Sequence, residues 1–221
     1  MLSAVIFDLD GVLADSETWW RQIDAKLLAE YGVTYHGEHH QNVLGVSYRL
    51  AVEFYKKAFG LSVPTEDMIR RRGEIATELF ANRIGLFPKV REVLEELRQM
   101  RLHLAVATSS LSASARPFLD RHQLTKFFNV IVTGEEVEHG KPAPDIYLCA
   151  AQKLGIAADA CLVVEDGFPA SPQPRPPICA SPPSLTAALW IRAITRKKPI
   201  MSSAVLKNCR RSLAKNCSRG R

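Results

Sequence analysis

The sequence predicts an α/β fold: a Rossmann-like, doubly wound parallel sheet with an inserted α-helical cap and an irregular C-terminal tail. Three observations carry this. Residues 4–9 form a short apolar, β-prone run that ends in Asp8-Leu9-Asp10-Gly11. A long stretch of helical periodicity follows it. After Pro88, helical and strand-like segments alternate. Strands separated by helices imply a parallel sheet covered on both faces.

Each element has its own signal. In the first strand, Gly11 permits a sharp exit from the sheet. From about Glu17 the pattern is helical, with Ile23, Leu27, Leu28 and Tyr31 along one face, and Gly32 ends that helix. Further helices are predicted over 46–59 and 66–82, the second opened by Pro64-Thr65-Glu66. The alternating part then reads as a helix over 90–100, a strand over 102–107 and a helix over 112–122. A strand over 130–132, a helix over 143–154 and a strand over 161–164 complete it. The division that follows is an α/β core from residues 1–14 and 83–166, a helical cap over 15–82, and a tail over 167–221.

Charge separates the tail from the rest. Residues 1–166 hold all 23 acidic residues and 18 of the 29 basic ones, whereas 167–221 hold 11 basic residues, no acid and 8 of the 13 prolines. The overall basicity therefore belongs to the tail. The N-terminus is apolar but short, lacks a basic flank and runs straight into Asp8 and Asp10, unlike a signal peptide or membrane span. Cys149, Cys161, Cys179, Cys209 and Cys217 are odd in number and show no ligand spacing. That pattern fits reduced thiols in a cytoplasmic protein.

In open parallel sheets, ligands bind beyond the carboxyl ends of the strands. Here those ends deliver Asp8 and Asp10, then Thr108 and Ser109, then Glu165 and Asp166, and the loop before residue 143 adds Lys141. Crowded carboxylates repel unless a cation sits among them, and an all-oxygen set of this kind suits Mg2+. Taken singly, each element has an ordinary structural reading: a DxD as turn former, Thr-Ser as helix cap, a solvated lysine. Their ordered recurrence at successive strand ends points to a site. Other features read as structural: His36, His39 and His40 as a solvated loop, Arg70-Arg71-Arg72 as a solvated helix face, Trp19 and Trp20 as core or pocket aromatics.

Four segments carry a family resemblance. Phe7-Asp8-Leu9-Asp10-Gly11-Val12-Leu13 resembles the first motif of the haloacid dehalogenase superfamily, and Ala105-Val106-Ala107-Thr108-Ser109-Ser110 its second. Gly140-Lys141-Pro142-Ala143-Pro144-Asp145 resembles its third motif, and Val163-Val164-Glu165-Asp166 the start of its fourth. The third string is similar to the branch of sugar phosphatases and β-phosphoglucomutases with a helical cap. The resemblance implies that Asp8 is a nucleophile forming an aspartyl-phosphate and that Asp10 is general acid and base. It implies phosphate contacts from Thr108, Ser109 and Lys141. Mg2+ would be held by Asp8, the Asp10 main-chain carbonyl and Asp166, with Glu165 close by. The implied partner is a small phosphorylated metabolite. Apart from the resemblance, no membrane partner is expected, nucleic acid is not the expected partner, and a monomer is the working expectation for an oligomeric state the sequence does not fix. Gly45-Val46-Ser47-Tyr48-Arg49 places its arginine one position later than the mutase string, which favours a phosphatase over a mutase.

The family pattern stops after Asp166, where prolines preclude the helix that should follow. A reading-frame shift near codon 167 accounts for this, because degenerate codons for residues 168–180 permit the missing glycine, alanines and lysine in another frame. The rival readings are an inactive or truncated member, or a chain whose tail is a basic binding arm or a polyproline II ligand.

Overall fold

The computed structural model describes residues 2–166. The tail, and with it every reading of residues 167–221, lies outside the described residues. Four strands, β1 (Ala4–Phe7), β2 (His103–Ala107), β3 (Val130–Val132) and β4 (Cys161–Val164), form one parallel sheet in the order β3-β2-β1-β4. Ile6 lies opposite Ala105 on one side and Val163 on the other, so β1 is central.

Alternation along the strands builds two cores. Val5, Phe7, Leu104 and Val106 point to one face, and Ala4, Ile6, Ala105, Ala107 and Val163 to the other. The second face is covered by α6 (Asp145–Leu154) through Ile146, Tyr147, Ala150 and Ala151. The first is covered by α4 (Val90–Gln99) and α5 (Ser112–Arg121), whose Val93, Leu94, Leu97, Phe118 and Leu119 are buried. Both faces are apolar and covered, as a parallel sheet requires.

Three helices are inserted between β1 and β2: α1 (Glu17–Ala29), α2 (Tyr48–Phe59) and α3 (Thr65–Asn82), with a short 3-10 segment over Gly37–Asn42. They pack on one another and reach the sheet layer mainly where α3 meets α5. There the Phe80 and Phe118 rings meet edge to face at 5.6 Å. Inside the insertion lies a buried polar network. Asp24 is fully buried and accepts from Arg72 Nε at 2.7 Å and from the Tyr55 hydroxyl at 2.7 Å.

Two sequence readings need correction here. The three consecutive arginines do not form one solvated face. Arg70 and Arg71 pair outside with Asp67, Glu30 and Glu74. Arg72, turned about 100° further around the helix, joins Met68, Ile75 and Ala76 on the buried face and is only 5% exposed. His40 is likewise 3% exposed rather than part of a solvated loop, whereas His36 is exposed. Elsewhere the ends differ slightly: β1 stops at Phe7 because the chain coils at Leu9, and α6 starts at Asp145, behind Pro144.

Phe118→Ala should lower stability by about 3–5 kcal/mol, read by chemical denaturation. A loss near zero would mean that the insertion is held to the sheet layer by other contacts.

Candidate active site

After β1 the chain runs outward to β2 and β3 on one side and returns to β4 on the other. The strand order therefore reverses between β1 and β4, and a crevice opens beyond their carboxyl ends. The residues that follow the two strands occupy it. The Asp8 N–H donates to Val164 O at 2.9 Å, carrying the sheet pairing one residue past β1. The backbone then coils tightly, with the N–H groups of Leu13 and Ala14 both returning to Leu9 O. Gly11 makes this possible: its φ is +72°, and a Cβ there would lie 1.9 Å from Asp166 Oδ2.

At the floor sits a buried ammonium. Lys141 Nζ lies 3.0 Å from Asp8 Oδ1 and 2.8 Å from Glu165 Oε2, and the Tyr147 hydroxyl donates to the same Glu165 oxygen. Asp8, Lys141 and Glu165 are each 5% exposed or less. Burial pulls the lysine's pKa down, but the Asp8 and Glu165 charges outweigh it and hold it well above the usual value. The carboxylates outnumber that single cation. Burial, and then the Glu165 charge, raise the Asp8 carboxyl well above its usual range. The same two causes push Asp166 up to about 7.

One oxygen each from Asp8, Glu165 and Asp166 lies within 4.8 Å of the others. Glu165 Oε1 is buried without a hydrogen-bond partner. An all-oxygen cluster with surplus negative charge and an unpaired carboxylate oxygen fits a divalent cation such as Mg2+.

Asp10 stands apart from that cluster. Its Oδ1 accepts from Ser16 Oγ at 2.7 Å and Trp20 Nε1 at 2.8 Å. Its Oδ2 accepts from Ser110 Oγ at 2.7 Å and Thr108 Oγ1 at 3.4 Å. The Thr108 hydroxyl also takes the Ser110 N–H, so it braces the loop behind Asp10. Ser109 and Ser110 form the cavity wall, and the Ser109 hydroxyl has no partner. The structure thus brings Asp8, Asp10, Ser109, Lys141 and Asp166 to one cavity of about 70 Å3, with Glu165 and Thr108 immediately behind it.

The inserted helices close the far side of that cavity. The Ser47 N–H donates to Lys141 O at 3.1 Å, and a Cβ on Gly140 would lie 2.4 Å from Ser47 Cβ. Trp20, Tyr48 and Arg72 line this wall, with the guanidinium carbon 4.6 Å from the Trp20 ring and 4.7 Å from the Tyr48 ring. Sequence reasoning missed Arg72, Tyr48 and His40 as lining residues. The available signal was the helical period that sets Arg72 in line with Met68 and Ile75. Arg49, by contrast, lies outside and pairs with Glu66 and Glu53.

The model of the haloacid dehalogenase-like hydrolase family matches residues 5–168. The chain belongs to that family. It is 34% identical over 165 residues to a phosphorylated carbohydrates phosphatase of Thermotoga maritima, covering 75% of this chain and 76% of that one. It is 27% identical to hexitol phosphatase B of Escherichia coli K12, over 74% of each chain. Among solved structures, CbbY of Rhodobacter sphaeroides in complex with phosphate superposes with a TM-score of 0.68 at 25% identity, over 76% of this chain and 79% of that one. A hydrolase from Pseudomonas syringae gives 0.67 at 30% identity, over 75% and 76%. The chain is accordingly a phosphoric monoester hydrolase on an α/β fold. No helix among the described residues is long and apolar enough to cross a membrane.

Mg2+ at about 100 times its Kd should stabilise the metal-free chain by about 2.7 kcal/mol. Asp166→Asn and Gly11→Ala should abolish that gain, read as a shift in Tm. An undiminished shift in both variants would place the cation elsewhere.

Proposed function

We propose that the chain hydrolyses a small sugar phosphate or related monoester through an aspartyl-phosphate on Asp8. The observation that carries this reading is the pairing of Asp8 with the buried Lys141 at the sheet's reversal point, 3.0 Å apart. The names of the relatives, which include a carbohydrate phosphatase and a hexitol phosphatase, support the substrate class.

In the first half-reaction the free Asp8 oxygen attacks phosphorus, and the bond from phosphorus to the leaving oxygen breaks. Asp10 gives that oxygen its proton. In the second half, Asp10 takes a proton from water, which attacks the same phosphorus and returns Asp8 as a carboxylate. Lys141 and the Ser109 N–H and hydroxyl hold phosphoryl oxygens as charge builds on them, and Thr108 keeps the loop and Asp10 in place. Asp8, Asp166 and the Asp10 main-chain carbonyl would hold Mg2+, with Glu165 beside them. Bound there, the ion supplies the positive charge that offsets the carboxylates and the phosphoryl group.

Residues 15–82 act as a cap that excludes water and selects the leaving group, on a core of residues 1–14 and 83–166. Support comes from the closure of the cavity by α1–α3 and from the Ser47–Lys141 hydrogen bond. The exposed position of Arg49 weighs against a mutase, which needs a cation for a second phosphate. The enzyme works in the cytoplasm as a monomer on this reading.

Asp8→Asn should eliminate Mg2+-dependent phosphate release from nitrophenyl phosphate, and Asp10→Asn should cut kcat by about 10²–10⁴-fold. Full activity in Asp8→Asn would remove the nucleophile assignment.

A further inference from the structure

The cap side of the cavity contains polar groups that the fold leaves unused. Tyr48 and His40 are 6% and 3% exposed, and both line the cavity. The Tyr48 hydroxyl and both His40 ring nitrogens are buried without a hydrogen-bond partner. Buried polar groups are almost always satisfied, so several unsatisfied ones around a single cavity mark a place for a ligand that satisfies them. Beside them lies Arg72, stacked against Trp20 and Tyr48 and fixed through Nε by Asp24. Among the described residues its only hydrogen-bond acceptor is Asp24.

Charge narrows the choice of ligand. The Arg72 guanidinium is matched one for one by the Asp24 carboxylate, so this end of the cavity is close to neutral. His40 adds no charge near neutral pH, since burial pulls its pKa down. Taken as a whole, the wall sets two cations, Arg72 and Lys141, against the carboxylates of Asp8, Asp10, Glu17, Asp24 and Asp166. A divalent cation at the floor, together with the proton that Asp10 donates, offsets those carboxylates and leaves little net charge. One phosphate dianion is accommodated by Lys141 and that cation. A second would find no unmatched cation, since the remaining arginine is already paired with Asp24, and like charges in a confined site repel strongly.

We infer that Arg72, Tyr48 and His40 form a hydroxyl-reading clamp for the leaving group, which is therefore a neutral polyol or sugar bearing a single phosphate. This rests on the phosphatase reading and narrows it. Arg72 and His40 donate to ligand hydroxyls, while the Tyr48 hydroxyl can donate or accept. Asp24 and Tyr55 hold the guanidinium in register, and Trp20 links the clamp to Asp10 through its indole N–H.

The test compares hexitol monophosphate, hexose bisphosphate and nitrophenyl phosphate as substrates of the full chain and of Tyr48→Phe and Arg72→Lys. Tyr48→Phe keeps the ring that packs on Trp20 and Arg72 and removes only the hydroxyl, so this variant decides the outcome should Arg72→Lys misfold. The clamp predicts that kcat/KM for the monophosphate exceeds that for the bisphosphate at least tenfold. It also predicts that the ratio of kcat/KM for hexitol monophosphate over nitrophenyl phosphate falls about tenfold in Tyr48→Phe, the effect of one lost hydrogen bond. Equal or faster turnover of the bisphosphate, or an unchanged ratio, overturns it. If the folded chain cleaves none of the three, the phosphatase reading falls and calorimetry decides the clamp. Binding of hexitol monophosphate that weakens tenfold in Tyr48→Phe upholds it; equal binding, or none, overturns it.

Discussion

A lysine ammonium held between two buried carboxylates organises this end of the sheet. Burying three charges is costly unless each finds close partners. Lys141, Asp8 and Glu165 meet that demand together, with Tyr147 adding a donor to Glu165. The arrangement needs β1 and β4 to be neighbours, because Asp8 follows one strand and Glu165 the other. It also needs the loop before α6 to fold over them, and that loop is where Ser47 of the insertion takes hold. Sheet order, strand ends and the placement of the insertion thus converge on one lysine.

The balance of charge around that lysine is deliberately incomplete. Two cations line the cavity against five carboxylates, and Glu165 Oε1, Ser109 Oγ, Tyr48 Oη and the His40 ring have no partners. A core built for stability alone would not leave such groups unpaired. The Asp24–Arg72–Tyr55 network in the insertion is the opposite case. There the Asp24 carboxylate takes one donor from the guanidinium and one from the Tyr55 phenol, and that anchoring presents the flat Arg72 group between Trp20 and Tyr48. Floor and cap differ accordingly: one awaits charge, the other awaits hydroxyls.

Much of this was legible in the sequence, and the reason is physical. The strands are short, continuous apolar runs because both faces of the sheet are buried, and the residues just past their ends are the ones that can carry chemistry. Asp8, Asp10, Ser109 and Asp166 could be named because sheet topology brings strand ends together, and Lys141 because of the Gly140-Lys141-Pro142 string in the loop before α6. The cap wall could not, because its geometry depends on how three helices cross. Arg72 was hidden in a run of like charges, where only its helical phase distinguishes it from Arg70 and Arg71. His40 was hidden in a polar stretch whose burial shows only in the folded chain. Thr108 shows a different limit: its position was legible, but the turn of its hydroxyl toward Asp10 depends on side-chain packing.

The central claim is that Asp8, held by Lys141, takes the phosphoryl group. Rapid acid quench of the Mg2+-loaded chain during turnover of a phosphomonoester, followed by peptide mass mapping, tests it directly. The account predicts a transient mass increase of one phosphoryl group on the peptide that bears Asp8, absent in Asp8→Asn. Turnover with no such species at any quench time, or the phosphoryl group on another residue, would contradict it.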